Sequence, residues 1–137
     1  MTFRTRCSIG SWIRQFAFVI RSEDTKHQLA RAAVDQFYLA EAPVVIVVIA
    51  DTRRSKARYG ERGETFYSIV DGAFASLLVM LAAIDAGLGA AFVGAFNDDE
   101  VRAVLGLPKA VRPIGSSGST SSTTSGGKTG ITRRRLR

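Results

Sequence analysis

Cysteine is almost missing from this sequence. Cys7 stands alone, which excludes an internal disulfide and a thiolate metal cage. Histidine is as scarce. His27 sits between Lys26 and Gln28 on a helical stretch and reads as a solvated side chain, so no metal cluster is expected. Long hydrophobic runs are missing too. The longest uncharged apolar run inside the large helical pattern, residues 72–84, is shorter than the ~20 residues a bilayer span needs. The basic start at residues 1–6 is followed by Arg14 and Arg21 before any apolar core develops, so no secretory leader is expected. The expectation is a soluble, cytoplasmic protein that makes no membrane contact. Acidic residues vanish after residue 107. Seven basic residues and no acidic one lie in 108–137, while 1–107 balance twelve against twelve, so the net charge of +7 belongs to one end of the chain.

What is present alternates between strand and helix signals. Residues 16–20 are a short apolar run. Ser22 is placed to cap a helix, with Glu23 and Asp24 in its first turn. Leu29, Ala30, Ala33, Val34 and Phe37 then give one buried face to a helix over about 23–38. Glu41-Ala42-Pro43 ends it. Residues 44–50, Val-Val-Ile-Val-Val-Ile-Ala, are apolar on both faces and predict a central strand covered on two sides by helices. Residues 51–65 are charged and glycine-containing and read as an exposed loop or lid. Residues 66–86 predict a long apolar helix, buried in a core or a subunit interface. Gly87-Leu88-Gly89 stops it, and 90–93 form a short strand. Asn97 and Glu100 have capping-box spacing before a short helix that Gly106-Leu107-Pro108 closes. From 116 to 130 the composition is Ser, Thr and Gly, a linker signature. The predicted organisation is an atypical segment 1–16, a domain 17–115 and a disordered basic tail 116–137. The fold class is α/β (α+β), a three-layer α-β-α sandwich.

Two motifs fail on context. Gly126-Gly127-Lys128-Thr129 lacks the earlier glycine and the preceding strand of a phosphate-binding P-loop. Arg133-Arg134-Arg135-Leu136-Arg137 has no folded reading surface near it, so nucleic-acid contact beyond nonspecific tail attraction is not expected.

Residues 41–115 carry a family likeness. The chain reads Glu-Ala-Pro, the strand Val-Val-Ile-Val-Val-Ile-Ala-Asp, and the segment Arg-Tyr-Gly-Glu-Arg-Gly. A helix follows, ending Ala-Ala-Ile-Asp-Ala-Gly-Leu-Gly, then Ala-Ala-Phe-Val-Gly-Ala-Phe, Val-Leu-Gly-Leu-Pro and Arg112-Pro113-Ile114-Gly115. In order and spacing this resembles the middle and late segments of the nitroreductase family, with 18–40 compatible as the strand and helix before them. The resemblance implies a nitroreductase-type sandwich, incomplete at both ends, and a homodimer formed through long helices. It implies FMN at the subunit interface, NAD(P)H as electron donor, and a nitro compound, quinone or similar small molecule as acceptor. The flavin carries the chemistry, so no catalytic side chain is expected.

By the same resemblance Val93 and Gly94 match the segment whose backbone passes the isoalloxazine. Ser8-Ile9-Gly10-Ser11-Trp12-Ile13 stands where the family has a Gly-Asn-x-Gln segment beside the flavin, which makes Gly10 and Ser11 cofactor-binding candidates. The family's early Arg-Arg-Ser phosphate grip and its late Gly-Tyr-Pro turn with a basic residue have no counterpart. Arg53, Arg54, Lys56, Arg58 and Arg62 remain as phosphate candidates, beside the simpler reading of a solvated charged surface. The alternative function is a truncated or frame-shifted dimerisation domain that no longer holds flavin.

Overall fold

The computed structural model describes residues 15–121. Its order is β1 (Gln15–Ile20), α1 (Glu23–Ala32), α2 (Tyr38–Glu41), β2 (Val44–Asp51) and α3 (Thr52–Arg62). A π-turn (Gly63–Tyr67), α4 (Ser68–Asp85), β3 (Leu88–Val93), α5 (Asp98–Leu105) and β4 (Val111–Ser121) follow. The four strands form one antiparallel sheet in the order β1-β2-β4-β3.

Alternation along β2 assigns the two faces. Val45, Val47 and Ile49 join Leu29, Ala30 and Ala32 of α1, Leu39 and Ala40 of α2, and Val101 of α5 in the main core. Val48 and Ala50 are buried on the opposite face, which α4 covers. The three-layer sandwich expected from the sequence is therefore present, with a central β2 as predicted.

The side of α4 that meets the sheet is made of small residues. Ser68, Gly72 and Ser76 are its buried positions, four residues apart. At Gly72 an added Cβ would lie 2.6 Å from Ile114 Cγ1, so glycine lets the helix seat on β4. A bulge between Val48 and Ile49 in the register with β4 leaves Ile114 as the extra residue.

Four expectations need correcting. The helix expected over 23–38 stops at Ala32. Val34 and Asp35 turn left-handed, with φ of 56° and 57°, and the chain restarts as α2. Val34 and Phe37, expected inside, are exposed. The segment 51–65, expected as a loop, is mostly helix. Asp51 caps α3 by accepting from the Arg53 N–H, and after a kink at the non-helical Gly60 the chain continues through the π-turn into α4. Thr52–Asp85 is consequently long and apolar enough to cross a membrane, by length and composition, although no uncharged run in it reaches that length.

The linker expected from 116 is wrong for 116–121. Those residues complete β4, pairing with β2 on one side and β3 on the other, and Ser116 and Ser117 are buried. Small residues are needed at this crowded centre. A Cβ at Gly118 would stand 3.2 Å from Ala42 Cβ, and one at Gly115 would overlap the Phe92 ring. The remainder of the tail, 122–137, lies outside the described residues.

Candidate functional site

β3 is an edge strand, because β4 pairs with one side of it and no described strand pairs with the other. Alternate residues of such a strand turn N–H and C=O groups away from the sheet. Val93 ends the strand and is buried as a whole residue in the main core, so it presents no open surface to a ligand. Gly94 follows, exposed. The two candidates thus lie together, but only Gly94 offers accessible backbone. Gly10 and Ser11 lie outside the described residues.

Phe92 forms the wall beside them. Its ring lies across Gly94 and Gly115, 2.9 Å from a Cβ built at Gly94, and is 45 % exposed. Nearby, Gln36 Nε2 donates to the Ala33 carbonyl at 2.8 Å and to the Ala95 carbonyl at 3.1 Å. That side chain ties the left-handed turn after α1 to the segment after Gly94. Asn97 N–H donates to the Ala32 carbonyl at 2.8 Å, and the Asn97 side chain caps α5 through the Asp99 and Glu100 N–H groups. Gln36 was not legible as a site residue, since it is 59 positions from its partner at Ala95.

The basic residues of α3 divide into two sets. Arg53 and Arg54 are drawn to Asp51, at 3.3 and 3.9 Å, and Lys56 to Glu64 at 2.7 Å. The hydrogen bond to Glu64, then the Glu64 charge, holds the Lys56 ammonium above its ordinary pKa. The second set lies on aromatic rings. Arg58 sits 5.7 Å from the Tyr59 centroid, and Arg62 sits 5.0 Å from Phe66 and 5.4 Å from Tyr67. Reading 51–65 as a loop hid this cluster. The spacing of Arg62, Phe66 and Tyr67 on a helix would have shown it.

These features bear on whether a flavin fits. A core cavity of about 10 Å³, lined by Leu29, Val47, Phe96 and Val101 among others, has room for one water at most. A planar ring would have to lie outside the core, where the β3 edge, the bare Gly94 and the half-exposed Phe92 suit a flat partner. The phosphate end fits less well, since Arg53, Arg54 and Lys56 already face carboxylates. Among the described residues no group of three or more His, Cys, Asp or Glu could hold a metal ion.

Comparison with known proteins agrees with the fold. The profile of the family described as "Nitroreductase family" matches residues 6–117. That range takes in Gly10 and Ser11, which the sequence reading had set outside the domain. A predicted nitroreductase of Methanocaldococcus jannaschii is 37% identical over 99 residues, 70% of this chain and 50% of that protein. An NADH dehydrogenase of Thermus thermophilus is 33% identical over 119 residues, 66% of this chain and 57% of that protein. The chain thus spans about half the length of the curated relatives it matches. Among solved structures, the hypothetical oxidoreductase YcnD of Bacillus subtilis superposes with a TM-score of 0.74 at 22% identity, covering 85% of this chain and 53% of that one. Nitroreductase A of Vibrio parahaemolyticus does so at 0.71 and 21%, covering 83% and 52%. With the sandwich, the β3 edge and the profile match in agreement, the chain belongs to the nitroreductase family.

Proposed function

We propose that this chain is the flavin-handling part of an FMN-dependent NAD(P)H oxidoreductase that reduces nitro compounds, quinones or similar small acceptors. The observation that carries the reading is the exposed Gly94 backbone just past the end of the β3 edge strand, with Phe92 beside it. Backbone N–H and C=O groups there would meet the polar edge of an isoalloxazine, Phe92 would flank it, and Gln36 would keep the Ala95 segment in place. When bound, FMN would accept and pass on hydride equivalents; the protein's share is to bind, orient and exclude water.

The working unit in this reading is a homodimer, as is usual in the family. Phe74, Leu77, Leu78, Leu81 and Ile84 of α4 are each half exposed or more. The small-residue side of the helix already lies on the sheet, so the large apolar side is left for a partner of the same kind. The same stripe would also suit a lipid bilayer, which the measurement of assembly has to separate.

A second reading is a dimerisation domain that no longer retains flavin. The engagement of Arg53, Arg54 and Lys56 with Asp51 and Glu64 favours it. Each charge-assisted contact is worth about 1.5–3 kcal/mol, so losing two or three weakens affinity by orders of magnitude. One titration decides between the readings. Purified protein that takes up FMN and is bleached by NADH or NADPH, then recoloured by a nitroaromatic or quinone, supports the enzyme. Protein that stays colourless at high FMN supports the second reading. Submicromolar FMN binding would show that other donors replace the phosphate grip.

A further inference from the structure

The arm made of α3 and the π-turn is shaped at a cost that core packing does not repay. No residue of α3 is buried. Gly60, inside it, adopts φ 64° and ψ −150°, a conformation essentially confined to glycine. Gly63 packs so closely on Ser55 that a side chain there would overlap the Ser55 carbonyl. The five-residue π-turn follows at once, a geometry that concentrates at functional sites.

These features converge on one cluster. Tyr59 and Tyr67 meet edge-to-face at 5.4 Å, and Phe66 and Tyr67 at 5.8 Å. Arg62 lies over Phe66 and Tyr67, and its Nε donates to the Tyr67 hydroxyl at 3.1 Å. The arm carries five cations against Glu61 and Glu64. Three of the cations already face carboxylates, whereas Arg62 makes no ion pair among the described residues. A guanidinium held in orientation by rings, and not neutralised, is suited to a carboxylate or phosphate. The exposed rings beside it suit a planar aromatic body.

β2 and β3 run in the same direction, toward the end of the sheet where the arm begins. The arm leaves β2 at Asp51, opposite Val111 of β4, and Val93 lies opposite Ser116 further along the same strand. β3 therefore points toward the arm's root but stops beside the middle of β4, short of Val111.

We propose that the arm selects the acceptor: Arg62, seated on Phe66 and Tyr67, receives the anionic group of a planar aromatic substrate. The substrate role rests on the oxidoreductase reading above; the anion site does not. The test titrates the full chain with para-nitrobenzoate and with uncharged nitrobenzene, with and without FMN, following the ring resonances of Tyr59, Phe66 and Tyr67. Para-nitrobenzoate is expected to bind about tenfold tighter. Arg62→Gln should abolish that preference, Arg62→Lys should restore part of it, and Arg53→Gln should leave it. Equal binding of the two compounds, or equal losses in Arg53→Gln and Arg62→Gln, overturns the proposal in favour of a diffuse positive surface. Colourless protein that still binds para-nitrobenzoate through Arg62 ends the flavin-enzyme reading and keeps the arm site. Flavin-loaded protein that reduces both compounds with the same kcat/KM, whatever stands at position 62, does the reverse.

Discussion

Gly72 is where the long helix touches the sheet, and its worth can be measured. Alanine there would normally gain about 1 kcal/mol of helix propensity. Against that, its Cβ would stand 2.6 Å from Ile114 Cγ1 and 3.1 Å from Ile114 Cβ, a clash with the branch point of a side chain on a central strand. Overpacking of this kind costs about 1–3 kcal/mol, so Gly72→Ala should lower stability in urea denaturation. In an Ile114→Ala background the sign should reverse, and Gly72→Ala should stabilise. A loss of equal size in both backgrounds would mean that Ile114 is not the obstacle. The motif Asp-Gly-Ala in the sequence shows only a helical glycine. Its partner is 42 positions away, which is why the contact had to be seen rather than read.

At the scale of elements, β2 and α5 were legible because burial imposes a run or a period on their residues. The apolar α4 and β3 were legible because apolar residues continue between glycine stops, although most of those residues are exposed in this chain. The helix stops were legible as well, since Gly87 and Gly106 adopt φ of 77° and 63°, where L side chains are strained. α3 was not. Its residues bury nothing, so no period marks them, and its helicity comes from the Asp51 cap and from ion pairs along it. One of those pairs gives a pH prediction. Lys56 has a raised folded pKa, so its pairing with Glu64 supports the arm fully below the ordinary lysine value of 10.5 and is lost as pH rises through the raised one. Amide exchange in the arm should therefore accelerate only in strongly alkaline buffer, beyond the intrinsic pH trend, and Lys56→Met should remove that step. For α4 the expectation concerns assembly. Leu78→Glu or Leu81→Glu places a charge on the exposed stripe and should convert a sedimenting dimer to a monomer at micromolar concentration. Wild-type protein that is already monomeric in solution and pellets with lipid vesicles would reassign that stripe to a membrane.

The whole molecule depends on the segment whose composition least suggested it. Ser116 to Ser121 look like a linker because Ser, Thr and Gly bury little, yet they form the strand that joins β2 to β3. Gly118 has to be small against Ala42 and Leu39, as the neighbouring Gly115 has to be against the Phe92 ring. A chain ended after Gly115 should therefore fail to fold, with loss of the cooperative thermal transition by circular dichroism. A transition preserved in that shortened chain would return 116–121 to the linker class. The strand order carries a further consequence for the making of the protein. Three strands and the apolar α4 leave the ribosome before the strand that unites them, and β2 has until then an open flank on the side where β4 will lie. Every copy passes through a period in which the flank of β2 is finished and its cover is not. A substitution that slows the docking of β4 should therefore lower the yield of folded protein and send more of it into inclusion bodies.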